Sequence, residues 1–392
     1  MRNFRGDGTL MHNRTYKKMG ALLLYAVLMP ITGEALLWIH SYLDVSAKVP
    51  YQPNSVHVMK PDPKYVPGVS GKSVIKANSW GLRGPLPKKN DTYFVAFGSS
   101  TAECFMLDDD ETWALLLMRR LNNRMQTRRA VVNIAGRRGM MVPHSYLVLE
   151  QLIEADRPLK YAILMSGTPD WSRWFHHDRY RPLTGKDTSK VFVNSVRRWQ
   201  SFPTSRDDTL LDQYRKRAKT RIKRGFAALL RLYAGAEDGA GFFESRAVYL
   251  NGNRISELTP VQQAQFELGL ADYRKQVERF VSLCRRHNIV PILVTQPMLY
   301  AEPLPAEYLA RYHWRGNPSH RMPEPSLYWH IFQEYAAVLE DIAAAKNLVC
   351  VDLLHRMKGE LDCFFDQVHF NERGAARAAE IIEKEVVSLL ND

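Results

Sequence analysis

At 392 residues, with 45% hydrophobic and 24% charged side chains, the chain has the composition of an ordinary globular protein. That excludes a disordered tail or a polytopic membrane protein as its main body. The formal charge of +13 is local: sixteen Lys and Arg against five Asp fall between Arg173 and Arg231, a net of +11, and the remainder is close to neutral.

In chain order, residues 1–18 form a basic tail in which Arg2, Arg5, Arg14, Lys17 and Lys18 stand against one acid, Asp7. From Met19 to Ile39 run 21 residues with a single charge, Glu34, enough at about 1.5 Å per residue to cross a hydrocarbon core of about 30 Å. This predicts one transmembrane helix, kinked at Pro30, with Glu34 close enough to its end to reach the interface. A buried core helix is the alternative. The positive charge before the span predicts a cytoplasmic N-terminus, with everything after about residue 40 extracytoplasmic, either periplasmic or extracellular. A cleavable signal peptide competes, because Val45-Ser46-Ala47 offers small residues for cleavage. The apolar run is longer than a usual signal-peptide core, which favours an uncleaved anchor.

Residues 40–90 read as a linker and lead-in segment, punctuated by Pro50, Pro53, Pro61, Pro63 and Pro67 and without a sustained period. Residues 91–392 form the main domain. Five short apolar, β-branched runs predict buried parallel strands: Tyr93 to Phe97, Ala130 to Ile134, Tyr161 to Met165, Ile289 to Val294 and Leu348 to Leu353. Helical patterns alternate with them at Glu111 to Leu121, Ser145 to Ile153, Tyr273 to Arg286, Leu327 to Ala345 and Glu372 to Leu390. The alternation predicts a doubly wound α/β fold, a three-layer sandwich around a central parallel sheet of about five strands with right-handed crossovers. Ligand sites in such sheets gather at the carboxyl ends of the strands, so chemistry is expected just after a strand.

The interval from about 172 to 265 is too long for one crossover and is expected to be an insertion, the one that holds the basic excess. Within it Ala218, Ile222, Phe226, Leu229 and Tyr233 recur at spacings of three and four, while Arg215, Lys216, Lys219, Lys223 and Arg224 fill other faces. This predicts a basic amphipathic helix, either solvated on the domain or holding anionic lipid or polysaccharide. Nucleic acid is not the expected partner, because the anchor puts this face outside the cytoplasm. His176-His177-Asp178 lacks the i, i+4 spacing of a helical zinc site, and no phosphate-cradling or dinucleotide motif follows a strand, so neither metal nor cofactor is expected. Cys104, Cys284, Cys350 and Cys363 form no CxxC pair and are expected to be buried small hydrophobes. In an exported domain a bridge becomes possible, and Cys104 with Cys363 is the first pair to consider.

Two elements carry chemistry. After the first run comes Phe97-Gly98-Ser99-Ser100-Thr101-Ala102-Glu103-Cys104, a small-residue turn that can stand a serine hydroxyl at the sheet's carboxyl edge. Alone it reads first as a loop or helix cap. Near the other end, Asp366-Gln367-Val368-His369-Phe370-Asn371 leads into the last helix. A carboxylate three residues before a histidine can bond one imidazole nitrogen and leave the other facing a nucleophile, although a capping Asp and a surface His would look the same. Together they are more specific than either, because they fall after the first and last strands, where the topology demands a site.

Over residues 92–390, apart from the basic insertion, the chain resembles the SGNH (GDSL-like) serine hydrolases in four ordered blocks. Gly98-Ser99-Ser100-Thr101 looks like the Gly-Asp-Ser block with a small middle residue. Gly136-Arg137-Arg138-Gly139 is similar to the glycine block of the oxyanion hole, with Asn133 one residue out of step from the usual Asn-x-Gly. Gly167-Thr168-Pro169-Asp170 stands where the family has Gly-x-Asn-Asp, and Asp366-x-x-His369 is the complete last block. Asn78-Ser79-Trp80-Gly81-Leu82-Arg83-Gly84 and Glu111-Thr112-Trp113 resemble segments of membrane-bound bacterial members, and Gln296-Pro297 resembles another recurring turn.

The resemblance implies a flavodoxin-like fold and an acyl transfer in which His369 takes the proton of Ser100, Ser100 attacks an ester carbonyl, and Asp366 holds the imidazole. It implies an oxyanion hole built from the backbone N–H groups of Ser100 and Gly136. Pro169 stands where the family's asparagine would donate, so Asn133 and Thr168 become the candidates to replace it. Proline also biases Thr168 toward an extended conformation. Two functions stay open. One is a serine esterase or acyltransferase acting on O-acyl esters of a cell-envelope glycan or lipid, with the basic insertion holding an anionic substrate. The other is a catalytically weak or inactive envelope protein that binds or helps assemble an exported polysaccharide.

Overall fold

The computed structural model describes residues 49–59, 61, 66–71, 73–125, 128–175, 254–312 and 322–390. The expected basic tail, the span at 19–39, the amphipathic helix of the insertion and His176-His177-Asp178 lie outside the described residues. Among the described residues no helix is long and apolar enough to cross a membrane.

The lead-in segment, which shows no sustained period in sequence, carries two short strands. It forms an antiparallel pair, β1 (Val56–Met59) with β2 (Ser73–Lys76), and then docks on the main sheet. Strands of four residues are too short to show a period, which is why the sequence pattern conceals them. Asn78 accepts through Oδ1 from the N–H groups of Trp80 and Leu82, an Asx turn that brings Arg83 alongside the sheet. There the Arg83 N–H donates to the Ile134 carbonyl and the Ile134 N–H to that of Arg83, so the lead-in covers what would be an exposed sheet edge.

The central sheet follows the predicted runs. β3 (Thr92–Gly98), β4 (Ala130–Ile134) and β5 (Tyr161–Met165) are buried at every position, which is why their sequences show no polar face. The two-residue strands β6 (Arg254–Ile255) and β8 (Met322–Pro323) pair with each other, and β7 (Val290–Val294) and β9 (Val349–Val351) complete a five-stranded parallel sheet in the order β4-β3-β5-β7-β9. The chain leaves β3 toward one edge and β5 toward the other, so a crevice opens between the carboxyl ends of β3 and β5.

Helices α1 (Ser100–Glu103), α2 (Trp113–Arg124), α3 (Val142–Glu154), α4 (Thr168–Phe175), α5 (Pro260–Arg286), α6 (Pro325–Lys346) and α7 (Glu372–Val386) flank the sheet. α2 packs on α7, while α3, α4 and α6 pack on α5. Arg120 and Arg124 of α2 both bond the buried Glu383 carboxylate of α7, joining an early helix of the sandwich to its last. α5 starts at Pro260 rather than at the expected Tyr273, inside what the sequence suggests is insertion. Its first turns are mostly exposed and so carry no apolar stripe. The start is marked instead by a capping box, in which Thr259 accepts from Gln262 N–H and the Gln262 side chain reaches back. α4 is an unpredicted helix, and Thr168 is its first residue rather than an extended one. Proline in the first helical turn removes no helical hydrogen bond, which reconciles Pro169 with that start.

The site depends on how β3 ends. Gly98 has φ +149°, and a Cβ there would lie 2.0 Å from the Met165 carbonyl oxygen at the end of β5. Replacing Gly98 with Ala adds both backbone strain and a backbone clash, and is expected to destabilise the fold by about 2–4 kcal/mol in urea titrations. A loss under about 0.5 kcal/mol would mean that the two strand ends can part freely.

Candidate active site

Two residues beyond Gly98 the chain enters α1 with Ser100 as its first residue; Ser99 before it is extended, and Cys104 after it is left-handed, with φ 50° and ψ 48°. Strand, glycine and one helical turn thus set the Ser100 hydroxyl at the carboxyl end of the sheet, where the expected nucleophile should stand. The loop before α7 supplies its partner. Asp366 accepts through Oδ1 from the backbone N–H groups of Val368 (3.0 Å) and His369 (2.9 Å), and its Oδ2 lies 2.6 Å from His369 Nδ1. The other nitrogen, Nε2, lies 2.6 Å from Ser100 Oγ, a contact between residues 269 positions apart. An ionised carboxylate only accepts, so Nδ1 carries the proton and Nε2 is left to accept from the serine hydroxyl. The predicted Ser100, His369 and Asp366 are therefore brought together in one line.

Aromatic rings hold the imidazole. Phe365 stacks on His369 with centroids 5.4 Å apart at 13°, and Phe105 meets it edge-on at 5.2 Å and 87°. A further link was not evident from sequence. The Gln296 amide donates to Thr101 Oγ1 (3.0 Å), and Thr101 donates to the Val368 carbonyl (3.3 Å). The turn after β7, the Ser100 helix and the Asp366–His369 loop are thereby tied to one another. Gln296-Pro297 was a visible motif, whereas Thr101 had only its place beside Ser100 to mark it.

Gly136 follows β4 and lies against the nucleophile turn. A Cβ there would meet Ala102 Cβ at 3.0 Å and the Gly98 and Ser99 carbonyl oxygens at 3.2 and 3.3 Å. A side chain at this position would have to push Ala102 or the turn's carbonyls back by a few tenths of an ångström, so glycine lets that backbone lie close to the Ser100 turn. Its neighbours are committed, Ala135 N–H to Ala96 O and Arg137 N–H to Gly98 O. Asn133 is not available as an oxyanion donor, contrary to one expectation. It is fully buried in β4, its amide donates to the Pro85 carbonyl (2.8 Å), and its Oδ1 accepts from Tyr93 (2.9 Å) and Asn78 (3.2 Å), so it anchors the lead-in segment. The Thr168 hydroxyl is different: it is buried and has no hydrogen-bond partner among the described residues. Gly167 before it packs on Gln296, the same side chain that holds Thr101.

All four cysteines are free, so the considered Cys104–Cys363 bridge is absent. Burial pushes both thiols up to about 12, as befits small apolar fillers rather than nucleophiles.

The model of the GDSL-like lipase/acylhydrolase family matches residues 94–382. No curated protein matches the chain. Among solved structures, a lipase/acylhydrolase from Enterococcus faecalis is 14% identical, with 76% of this chain and 96% of that one covered and a TM-score of 0.39. A member of the lipolytic G-D-S-L family from Veillonella parvula is 12% identical over 76% and 98% of the two chains, with a TM-score of 0.35. A psychrotrophic esterase from a Pseudoalteromonas species is 10% identical over 77% and 100%, with a TM-score of 0.36.

Asp170, in the block with Thr168, is structural in its contacts. Its Oδ1 accepts from Val142 N–H at 3.1 Å, tying α4 to α3, while Oδ2 is buried without a partner among the described residues. Burial raises its carboxyl pKa to about 7. A raised carboxyl is protonated in the folded chain while its unfolded counterpart ionises near 3.9, so stability from this group is full below about pH 4 and is lost as pH rises to about 7. Asp170→Asn is expected to be more stable than wild type at pH 8, with the difference shrinking toward pH 4, in denaturant titrations across that range. Parallel stability curves would show that Asp170 is ionised in the fold.

Proposed function

The chain belongs to the GDSL-like lipase/acylhydrolase family, and from that membership we propose that it is a membrane-anchored serine hydrolase acting on O-acyl esters of a cell-envelope glycan or lipid through Ser100, His369 and Asp366. The observation that carries the reading is the unbroken line of two 2.6 Å contacts from Asp366 through His369 to Ser100. In it, His369 Nε2 takes the serine proton as Ser100 Oγ attacks the ester carbonyl, and Asp366 stabilises the imidazolium that forms. His369 returns the proton to the leaving alkoxide. Water then releases the acyl group in hydrolysis, or a second hydroxyl accepts it in acyl transfer.

The negative charge on the tetrahedral intermediate falls to the backbone N–H groups of Ser100 and Gly136 and, in this reading, to the Thr168 hydroxyl in place of the family's asparagine. The buried and unpartnered state of that hydroxyl supports the assignment. Pro169 favours the alternative of a catalytically weak assembly protein, but the fully hydrogen-bonded Asp-His pair favours turnover. Support for the anchor and for an extracytoplasmic domain comes from the 21-residue apolar run after a basic tail. The net +11 between Arg173 and Arg231 fits an anionic glycan or lipid as substrate or surface.

A fluorophosphonate probe is expected to label the wild type and not Ser100→Ala; absence of labelling, or labelling that survives the substitution, would sink the assignment. For p-nitrophenyl acetate, Thr168→Val is expected to lower kcat about 100-fold with KM little changed, and Thr168→Ser to retain most of it. Equal kcat in Val and Ser variants would remove Thr168 from the oxyanion hole. Binding of the full chain to anionic vesicles is expected to weaken steeply as salt is raised, and a salt-independent result would dispose of the electrostatic role.

A further inference from the structure

The helix that carries Ser100 is four residues long, too short to keep its own position. Two buried charged side chains hold it. Arg83 is fully buried and donates to the carbonyls of Glu103 (2.7 Å), Cys104 (3.3 Å) and Leu107 (2.7 Å), and it pairs with Asp109 at 2.6 Å. The carbonyls that α1 leaves open at its end are thus met by a guanidinium from the lead-in segment.

Glu103, the last residue of α1, is also fully buried. A carboxylate so far from water persists only where donors and opposite charge surround it. Its Oε1 accepts from the Tyr51 hydroxyl at 2.6 Å, and its Oε2 accepts from the Arg138 backbone N–H at 2.6 Å, with Arg138 Nε at 3.4 Å. The Arg137 guanidinium lies 4.4 Å over the Tyr51 ring and donates to the Pro50 carbonyl. The second of these contacts matters for chemistry, because Arg138 is two residues beyond Gly136. The loop of Gly136 is therefore pinned to the nucleophile turn on both sides: Arg137 N–H to Gly98 O at 3.1 Å, and Arg138 N–H to Glu103.

We propose that Glu103 is a positioning residue for acyl transfer: its carboxylate fixes the Gly136 loop against the Ser100 helix and so sets the gap between the two backbone N–H groups that receive the oxyanion. The inference rests on the reading of Ser100 as nucleophile. Tyr51 supplies the second donor, so the segment leading into the domain supports the site without touching a reacting atom. The demand is strict here because Pro169 leaves no amide donor, and misplacing a group by about 1 Å can cost about 100-fold in rate.

Glu103→Gln keeps the shape but removes the charge and one acceptor oxygen, so even with the amide turned to donate to the Tyr51 hydroxyl the charge-assisted bond to the Arg138 N–H is weakened. For p-nitrophenyl acetate, kcat per phosphonate-titrated site is expected to fall about 30- to 100-fold, with KM within about 2-fold. Affinity for a boronic acid that mimics the tetrahedral intermediate is expected to fall by the same factor as kcat/KM. Tyr51→Phe, which leaves the Arg138 contact in place, is expected to lose about 3- to 10-fold and carries the test should Glu103→Gln fail to fold. A purely structural role would reduce thermal stability and the fraction of titratable sites while leaving kcat per site and boronate affinity unchanged, and that result overturns the proposal. If the wild type neither turns over nor labels, the proposed function fails and this role with it. If the wild type is active and both variants match it, only the positioning role fails.

Discussion

A strand buried along its whole length releases its chain into a tight turn most readily where the last residue has no side chain to place. β3 ends on such a residue, with Gly98 pressed against the Met165 carbonyl at the end of β5. That approach keeps β3 and β5 paired to their last residues and aims the next ones over the carboxyl edge of the sheet. Ser100 is presented there because α1 begins at once, without an intervening loop to take up slack. Gly136 is also tightly placed, within 3.0–3.3 Å of Ala102 and of the Gly98 and Ser99 carbonyls for any added Cβ, and Gly167 lies against Gln296.

The base arrives by a different route. Asp366 spends one oxygen on two backbone N–H groups and the other on His369, so a short loop is folded and an imidazole oriented by one carboxylate. α7 then fixes the loop to the body of the domain. Asn371 caps it through the Gly374 N–H, and a side chain at Gly374 would strike the Cys363 carbonyl at 1.9 Å. Far along the same helix, Glu383 meets two arginines of α2, the helix that follows the nucleophile loop. The first and last parts of the sheet domain are joined where Ser100 meets His369 and again where α2 meets α7.

The central strands, the parallel order and the pairing of Ser100 with Asp366 and His369 were legible because each rests on a local signal: a buried apolar run, a small-residue turn, a carboxylate three residues from a histidine. What was illegible depends on partners distant in sequence. Asn133 looked like a displaced donor, but its amide is used by Pro85, Tyr93 and Asn78, none of them near it in the chain. The lead-in segment looked like a linker because its two strands are too short to show a period and because Arg83 and Tyr51 are buried in part by bonds to α1, a partner distant in the chain. Glu103 could have been suspected, as a lone acid within the apolar Ser-Thr-Ala-Glu-Cys-Phe-Met-Leu stretch. The early turns of α5 carried a legible cap and no stripe, and the cap was the better guide.

The aromatic bracket around His369 bears on the direction of the reaction. Phe365 stacked on the ring, Phe105 edge-on to it and Asp366 bonded to Nδ1 all hold the imidazole with Nε2 toward Ser100. In the proposed scheme the nitrogen that removes a proton from the incoming hydroxyl must then be the one that delivers it to the outgoing oxygen, on the same side of the imidazole. Both half-reactions share a single lane. In that scheme the acyl group ends on water or on another molecule according to which hydroxyl occupies that lane after the first alcohol departs, since the same nitrogen of His369 serves either acceptor.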